Sequence, residues 1–292
     1  MNGTSEPAES FPQNKLSAGA KDLEKFFKYR KKFGYSEVVG EAAELEMIRF
    51  GLIQLQAGES IVLNSGEYEL GLVLLSGQCD IACEGEKFNG LARKDVFSAK
   101  PVTAYIPRDV KYEVKNAGRD LLEIAVCKVK ATKKLKPFLI KPEETVVNRR
   151  GKLNWNRDVI DIFTDNVTGR VDRILIGETF ACPGQWSSYP SHKHDQDNPP
   201  QEVWMEEVYH FKVNPPQGFG IQVMYNDDLT LDESYTVRDG DSVAIAQGYH
   251  PVAAAPGYQV YYLWVMAGRN TRTLTPNDDP SHAWLKAVER MV

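Results

Sequence analysis

Three of the chain's five histidines, His192, His194 and His250, lie where a carboxylate could join them. His192 and His194 are two apart, so an extended strand turns both imidazoles to one face. Glu207 opens an alternating run, Glu207-Val208-Tyr209-His210-Phe211-Lys212-Val213, which sets Glu207, Tyr209 and Phe211 on a common face. His250 follows a strand-like run at 242–246 and a Gln-Gly-Tyr turn. Two imidazoles from one strand, a carboxylate from the next and an imidazole from a later one can converge on a divalent transition metal. The donor set suits zinc first, with manganese, iron or nickel as alternatives, and suits calcium poorly.

Each piece is weak alone. His-x-His is common in proteins that bind no metal. Glu206 competes with Glu207 for the carboxylate position, and His250 could be a satisfied core histidine. The combination raises the reading, because the residues occur in the order that a small β-barrel needs. Tyr209 shares Glu207's face and is the first candidate for moving a proton; Tyr225, Tyr249 and Lys193 rank below it. A tyrosine is more often packing than chemistry.

The elements that must position these groups are strands. From residue 46 onward, alternating apolar runs are punctuated by turn residues every eight to twelve positions, the spacing of an antiparallel sandwich or barrel. The run at 130–142 is basic, carries two prolines and reads as a crossover. Strands resume at 171–180, 186–194, 203–213, 219–225, 234–237, 242–246 and 259–266. The two halves match in size and strand spacing, as a structural duplication would, and the first contains no histidine. Asp279-Pro280 starts a last helix, with Asp279 as N-cap and His282 on it.

Ahead of the strands, 1–20 is polar and Pro/Gly/Ser-rich, a disordered tail. Residues 21–45 form an N-terminal helical extension, in which Leu23, Phe26 and Phe27 share a helical face that docks on the body. The division expected is therefore a barrel without metal ligands at 46–150 and a metal-binding barrel at 151–292. A net charge of −5 excludes a general affinity for nucleic acid or anionic membranes. No apolar run approaches a membrane span and no secretory signal is readable, so the expected place is the cytoplasm. Cys79, Cys83, Cys127 and Cys182 form no C-x-x-C pair and read as reduced core or near-core residues. Exposed sheet edges leave room for a homo-oligomer.

The second half resembles a cupin, and more specific segments narrow the resemblance. They are WSSYPSHKHD at 186–195, NPPQGF at 214–219, DDLTLDE at 227–233, GYHPV at 248–252 and GYQVYYL at 257–263. Together they resemble the 5-deoxy-glucuronate isomerase family of inositol catabolism, related to uronate ketol-isomerases. The resemblance is strong over 177–268 and looser back to residue 47. It implies an all-β bicupin, two jelly-roll barrels with a few peripheral helices, whose first barrel has lost its metal ligands. It implies that His192, His194, Glu207 and His250 hold the metal. It also implies aldose–ketose isomerisation of a small deoxy-uronate, 5-deoxy-D-glucuronate giving 5-dehydro-2-deoxy-D-gluconate through an enediolate, with Glu207 and Tyr209 catalytic. Val223 and Trp264 stand where the family usually carries Arg and Asn. These departures motivate the alternative, a non-catalytic or substrate-shifted sugar-acid-binding cupin.

Overall fold

The computed structural model describes residues 24–292. The tail expected at 1–20 lies outside the described residues.

The chain is an all-β bicupin. One large sheet runs through Thr103–Ile106, Tyr68–Cys83, Leu122–Lys130, Ile48–Leu55 and Gly34–Val39. A second repeats that path with Ser242–Ile245, Met205–Asn214, Gln259–Gly268, Ile174–Ala181 and Arg157–Phe163. Each gains an extra strand at the same edge, Phe138–Ile140 in the first and Phe26–Phe27 in the second. In the second half a four-stranded sheet, Trp186–Ser187, Val252–Ala254, Gly220–Tyr225 and Asp232–Val237, closes the sandwich. The suspected duplication is thus visible in the pairing order, and the register makes it residue-specific. Tyr68 pairs with Lys130 as Met205 pairs with Gly268, so Leu70 stands in the first barrel where Glu207 stands in the second.

Alternation explains how one strand serves two cores. Along Met205–Asn214, Tyr209, Phe211 and Val213 face the interior of the second barrel with Met224, Val237 and Tyr262. Val208, one residue out of phase, joins Ile48, Phe50, Ala125 and Cys127 in the cluster between the barrels. Gly71 is required there, because a Cβ would come within 2.1 Å of Ile176 Cδ1 from the other barrel.

Two buried carboxylates lock this interface reciprocally. Glu206 accepts the backbone N–H groups of Glu46, Met47 and Ile48, where the first barrel's Ile48–Leu55 strand begins. Glu69, at the equivalent place, accepts those of Asp172, Arg173 and Ile174, where the second barrel's Ile174–Ala181 strand begins. Each carboxylate satisfies three backbone donors at the start of a strand in the other barrel, those of Met47, Ile48 and Ile174 being buried. Glu206→Ala should therefore lower stability by about 2–3 kcal/mol, read as a shifted urea midpoint, through loss of charged hydrogen bonds to buried N–H groups.

Several sequence expectations change. The described part of the 21–45 extension is not helical. Phe26–Phe27 and Gly34–Val39 are strands, one added to each large sheet. Its aromatic residues do dock: Phe27 is buried in the inter-barrel cluster and Phe26 stacks on Tyr235. An open sheet edge offered these residues backbone partners, and a short segment without caps has little helical stability to set against that. In the first barrel one long strand, Tyr68–Cys83, carries a register shift between Leu74 and Ser76. Val146–Arg150 and Arg157–Phe163, unrecognised in the sequence, pair with each other at the edge of the second large sheet. The C-terminal helix is Leu285–Glu289, with Trp284 at the N-cap position and no side-chain cap. Asp279 instead stabilises the turn before it, accepting the N–H of Ser281 on Oδ1, while its Oδ2 is taken by the Tyr225 hydroxyl. His282 sits in that turn. Cys79, Cys83 and Cys127 are buried thiols as expected, but Cys182 is exposed. Among the described residues no helix is long and apolar enough to cross a membrane.

Candidate metal centre

The site forms where the second large sheet meets two loops. Glu207 pairs with Ile245 on one side and Met266 on the other, which fixes its side chain on the barrel's inner face. Glu206 points to the first barrel, so the competition between the two carboxylates is resolved by the pleat.

His194 arrives from a loop. Its carbonyl accepts Met205 N–H at 2.8 Å and its Nδ1 lies 2.8 Å from Met205 O. The stretch between them folds on itself, with Glu202 accepting the N–H groups of Asp195 and Gln196. His250 follows Gly248, whose backbone φ of +87° suits glycine. Asp195 accepts the Gly248 N–H at 2.8 Å and so ties the His194 loop to the His250 loop.

Both imidazoles use Nδ1–H on a backbone carbonyl, Met205 O for His194 and Gly248 O for His250, the latter at 2.9 Å. That choice leaves each Nε2 lone pair facing Glu207 Oε2, at 3.2 Å from His194 and 3.3 Å from His250. Ligand atoms of these three buried residues lie within 4.8 Å of one another. Three acceptors converging out of contact with water require a proton or a cation between them. The buried His250 Nε2 makes no hydrogen bond of its own. Imidazole nitrogens held by carbonyls on their far side are the arrangement that metal-binding histidines adopt. The donor set therefore fits a divalent metal.

His192 flanks this trio without belonging to it. Its ring centre is 5.0 Å from that of His250 and 6.3 Å from that of His194. Its short strand, His192–Lys193, pairs with Asn277–Asp278 from the C-terminal segment. Burial first, then the neighbouring His250 and His194, push its pKa well below the ordinary range, so its ring is neutral at neutral pH and free to donate a lone pair. Burial raises the Glu207 carboxyl, but the two imidazoles that face it outweigh burial and bring the pKa down to about 2.

Tyr209 lies beside the trio, its ring 5.9 Å from His250 and 4.5 Å from Tyr262. Ser188 Oγ sits 3.2 Å from the Tyr209 hydroxyl and 3.1 Å from that of Tyr262. Burial and then the Glu207 charge raise the Tyr209 pKa well above its usual value, so the phenol stays protonated. The other candidates lie elsewhere. Lys193 points away from the imidazoles into Asp195 and Asp227, Tyr249 donates to Asp227, and Tyr225 donates to Asp279.

A cavity of about 460 Å³ opens onto His192, Glu207 and Tyr209. Its lining includes groups that sequence reasoning missed, among them Arg157, Ser188 and Tyr262. Tyr262 and Trp264 were legible in principle, being alternate residues on a strand adjacent to that of Glu207 and Tyr209. Trp264 lines the cavity over Gly177, where a Cβ would meet the indole at 2.0 Å. Val223 does not line it. Gln222 is the inward residue there, donating to His250 O at 2.8 Å.

A family model described as the KduI/IolB family matches residues 24–285. The chain belongs to that family. It is 40% identical to the 5-deoxy-glucuronate isomerase of Geobacillus kaustophilus over 250 residues, 85% of this chain and 89% of that one. With the 5-deoxy-glucuronate isomerase of Bacillus subtilis it shares 36% identity over 251 residues, 85% of this chain and 91% of the other. Among solved structures, an IolB-like protein from Salmonella typhimurium superposes with a TM-score of 0.85 at 34% identity, covering 90% of this chain and 99% of that one. Oxalate decarboxylase from Lactobacillus farciminis superposes at 0.63 with 11% identity, covering 87% and 88%, a likeness of fold alone.

Proposed function

We infer that this chain is an isomerase that converts 5-deoxy-D-glucuronate to 5-dehydro-2-deoxy-D-gluconate, an aldose–ketose step of myo-inositol catabolism. The observation that carries the reading is the buried His194–Glu207–His250 trio, whose Glu207 lines a cavity of about 460 Å³, in a chain 40% identical to a 5-deoxy-glucuronate isomerase. Its buried, unpaired thiols suit the reducing cytoplasm.

His194, Glu207 and His250 are the residues that would hold a divalent metal, with His192 as fourth ligand, and zinc is the first choice for three imidazoles and one carboxylate. Such an ion, when bound, supplies Lewis acidity toward a carbonyl and its neighbouring hydroxyl. The reaction moves the C2 proton to C1 and the O2 proton to O1. Glu207 would contribute the negative charge that offsets the cation. Tyr209 keeps its proton and can donate it in a hydrogen bond to a substrate oxygen. Ser188 and Tyr262 behind it orient that hydroxyl. Tyr209→Phe should lower kcat about 10²-fold with metal content unchanged, the size expected for one positioned proton donor. Assay of the variant by proton NMR, with metal analysis of the same sample, checks both halves.

The test of function is direct. Metal-replete protein incubated with 5-deoxy-glucuronate should yield the ketose by proton NMR. Tight binding of the sugar acid without turnover would favour the binding-protein alternative.

A further inference from the structure

Arg157 is half-buried at the cavity and contrasts with the fully buried Arg93. Arg93 is fully enclosed, and both its terminal nitrogens meet the Glu178 carboxylate. Arg157 has no carboxylate within ion-pair distance among the described residues. Its recorded bonds are from one terminal nitrogen, to the carbonyls of Trp155 at 3.2 Å and Tyr189 at 3.0 Å. Glu289 of the C-terminal helix, which lines the same cavity, is engaged by the Trp155 indole at 2.6 Å. Burial lowers the Arg157 pKa, while burial's effect on Arg93 is overcome by its carboxylate. A half-buried guanidinium without a counter-ion is costly unless something else supplies the charge.

The position says what supplies it. Arg157 begins the Arg157–Phe163 strand and faces the barrel interior with Val159 and Asp161, lining the same cavity as His192, Glu207 and Tyr209. Two carbonyls hold one end of the guanidinium, leaving the rest of its planar donor fork for a ligand. Of the other cations at this cavity, Lys286 is paired with Asp278, and Arg150 lies exposed on an edge strand. We propose that Arg157 is the specificity residue that receives the carboxylate of the substrate, within the cavity that His192, Glu207 and Tyr209 also line. The proposal rests on the isomerase reading for the identity of the substrate, and on geometry alone for the preference for an acid. A guanidinium fork matches a carboxylate in two parallel bonds, so a neutral sugar loses both.

The test is calorimetric binding to metal-replete protein of D-gluconate and its neutral counterpart D-gluconamide, neither of which needs turnover. Wild type is expected to prefer gluconate by about tenfold or more, the scale of a charged, paired hydrogen bond. R157M should erase that preference, R157K should lose several-fold of it because an ammonium cannot make two parallel bonds, and R150M should keep it. Metal content and thermal midpoint are read on every variant. Loss of the preference with both unchanged supports the assignment; loss accompanied by loss of metal shows instead a structural role in holding the Tyr189 loop and overturns it. If R157M does not fold, R157K decides. Full preference retained in a folded R157 variant, or absent from wild type, also overturns it. Because gluconate binding needs no catalysis, a wild type that binds gluconate but does not isomerise 5-deoxy-glucuronate would refute the activity while leaving the Arg157 assignment standing.

Discussion

Glu207→Gln is expected to lose bound metal and about 10³-fold or more in kcat together, more than the 10- to 100-fold typical of an outer-sphere partner, whereas Glu206→Gln loses neither in the folded protein. The substitutions are the same chemically and adjacent in sequence, so any difference is positional. Glu207 Oε2 is the point on which His194 and His250 converge. An amide of the same shape removes the negative charge that offsets a divalent cation and leaves a carbonyl oxygen of weaker basicity. Glu206 faces the other barrel and touches only the N–H groups at 46–48. Its replacement should appear as a lower urea midpoint, with metal content and kcat measured well below that midpoint unchanged. Metal analysis by mass spectrometry, beside rates on the same preparations, distinguishes the two. Equal loss of metal in both variants would contradict the assignment of faces.

Glu178→Ala should be the most destabilising single truncation between the barrels, by about 3–5 kcal/mol, because it strands a buried guanidinium. Both side chains of the Arg93–Glu178 pair are wholly excluded from solvent. The carboxylate also accepts the Tyr261 hydroxyl at 2.8 Å, and Arg93 donates further to the carbonyls of Leu74 and Ala99. The charges are therefore matched and hydrogen-bonded, the condition under which a buried pair is tolerated. Removing both, as R93M/E178L, should recover much of the loss, since two apolar side chains of similar volume need no compensation. Urea unfolding of the two single variants and the double variant gives the coupling.

The sequence carried more of the site than of the frame around it. Glu207 and Tyr209 could be placed on one face because alternation is a local property of a strand, and the structure keeps that phase. Lys193, Tyr225 and Tyr249 had the right chemistry in the right stretch, but Lys193 is consumed by Asp195 two residues on, and the two tyrosines by acidic partners that only the tertiary fold brings near. Arg157 was invisible because the strand it opens is half exposed and alternates weakly. The helical extension expected at 21–45 failed, over its described residues, for a related reason. Its period was real, but backbone partners at a sheet edge decided the conformation. The reciprocal clasp of Glu69 and Glu206 joins residues more than a hundred positions apart, and no local pattern announces it.

The most direct test is one experiment on wild-type protein: metal content per chain, followed by incubation of the same sample with 5-deoxy-glucuronate in deuterated water under proton NMR. The prediction is close to one divalent metal per chain, disappearance of the aldehyde form and growth of the ketose, with both metal and conversion lost after chelation and restored by adding the metal back. A metal-replete protein that leaves the sugar acid unchanged, or full conversion by protein stripped of metal, would contradict the account.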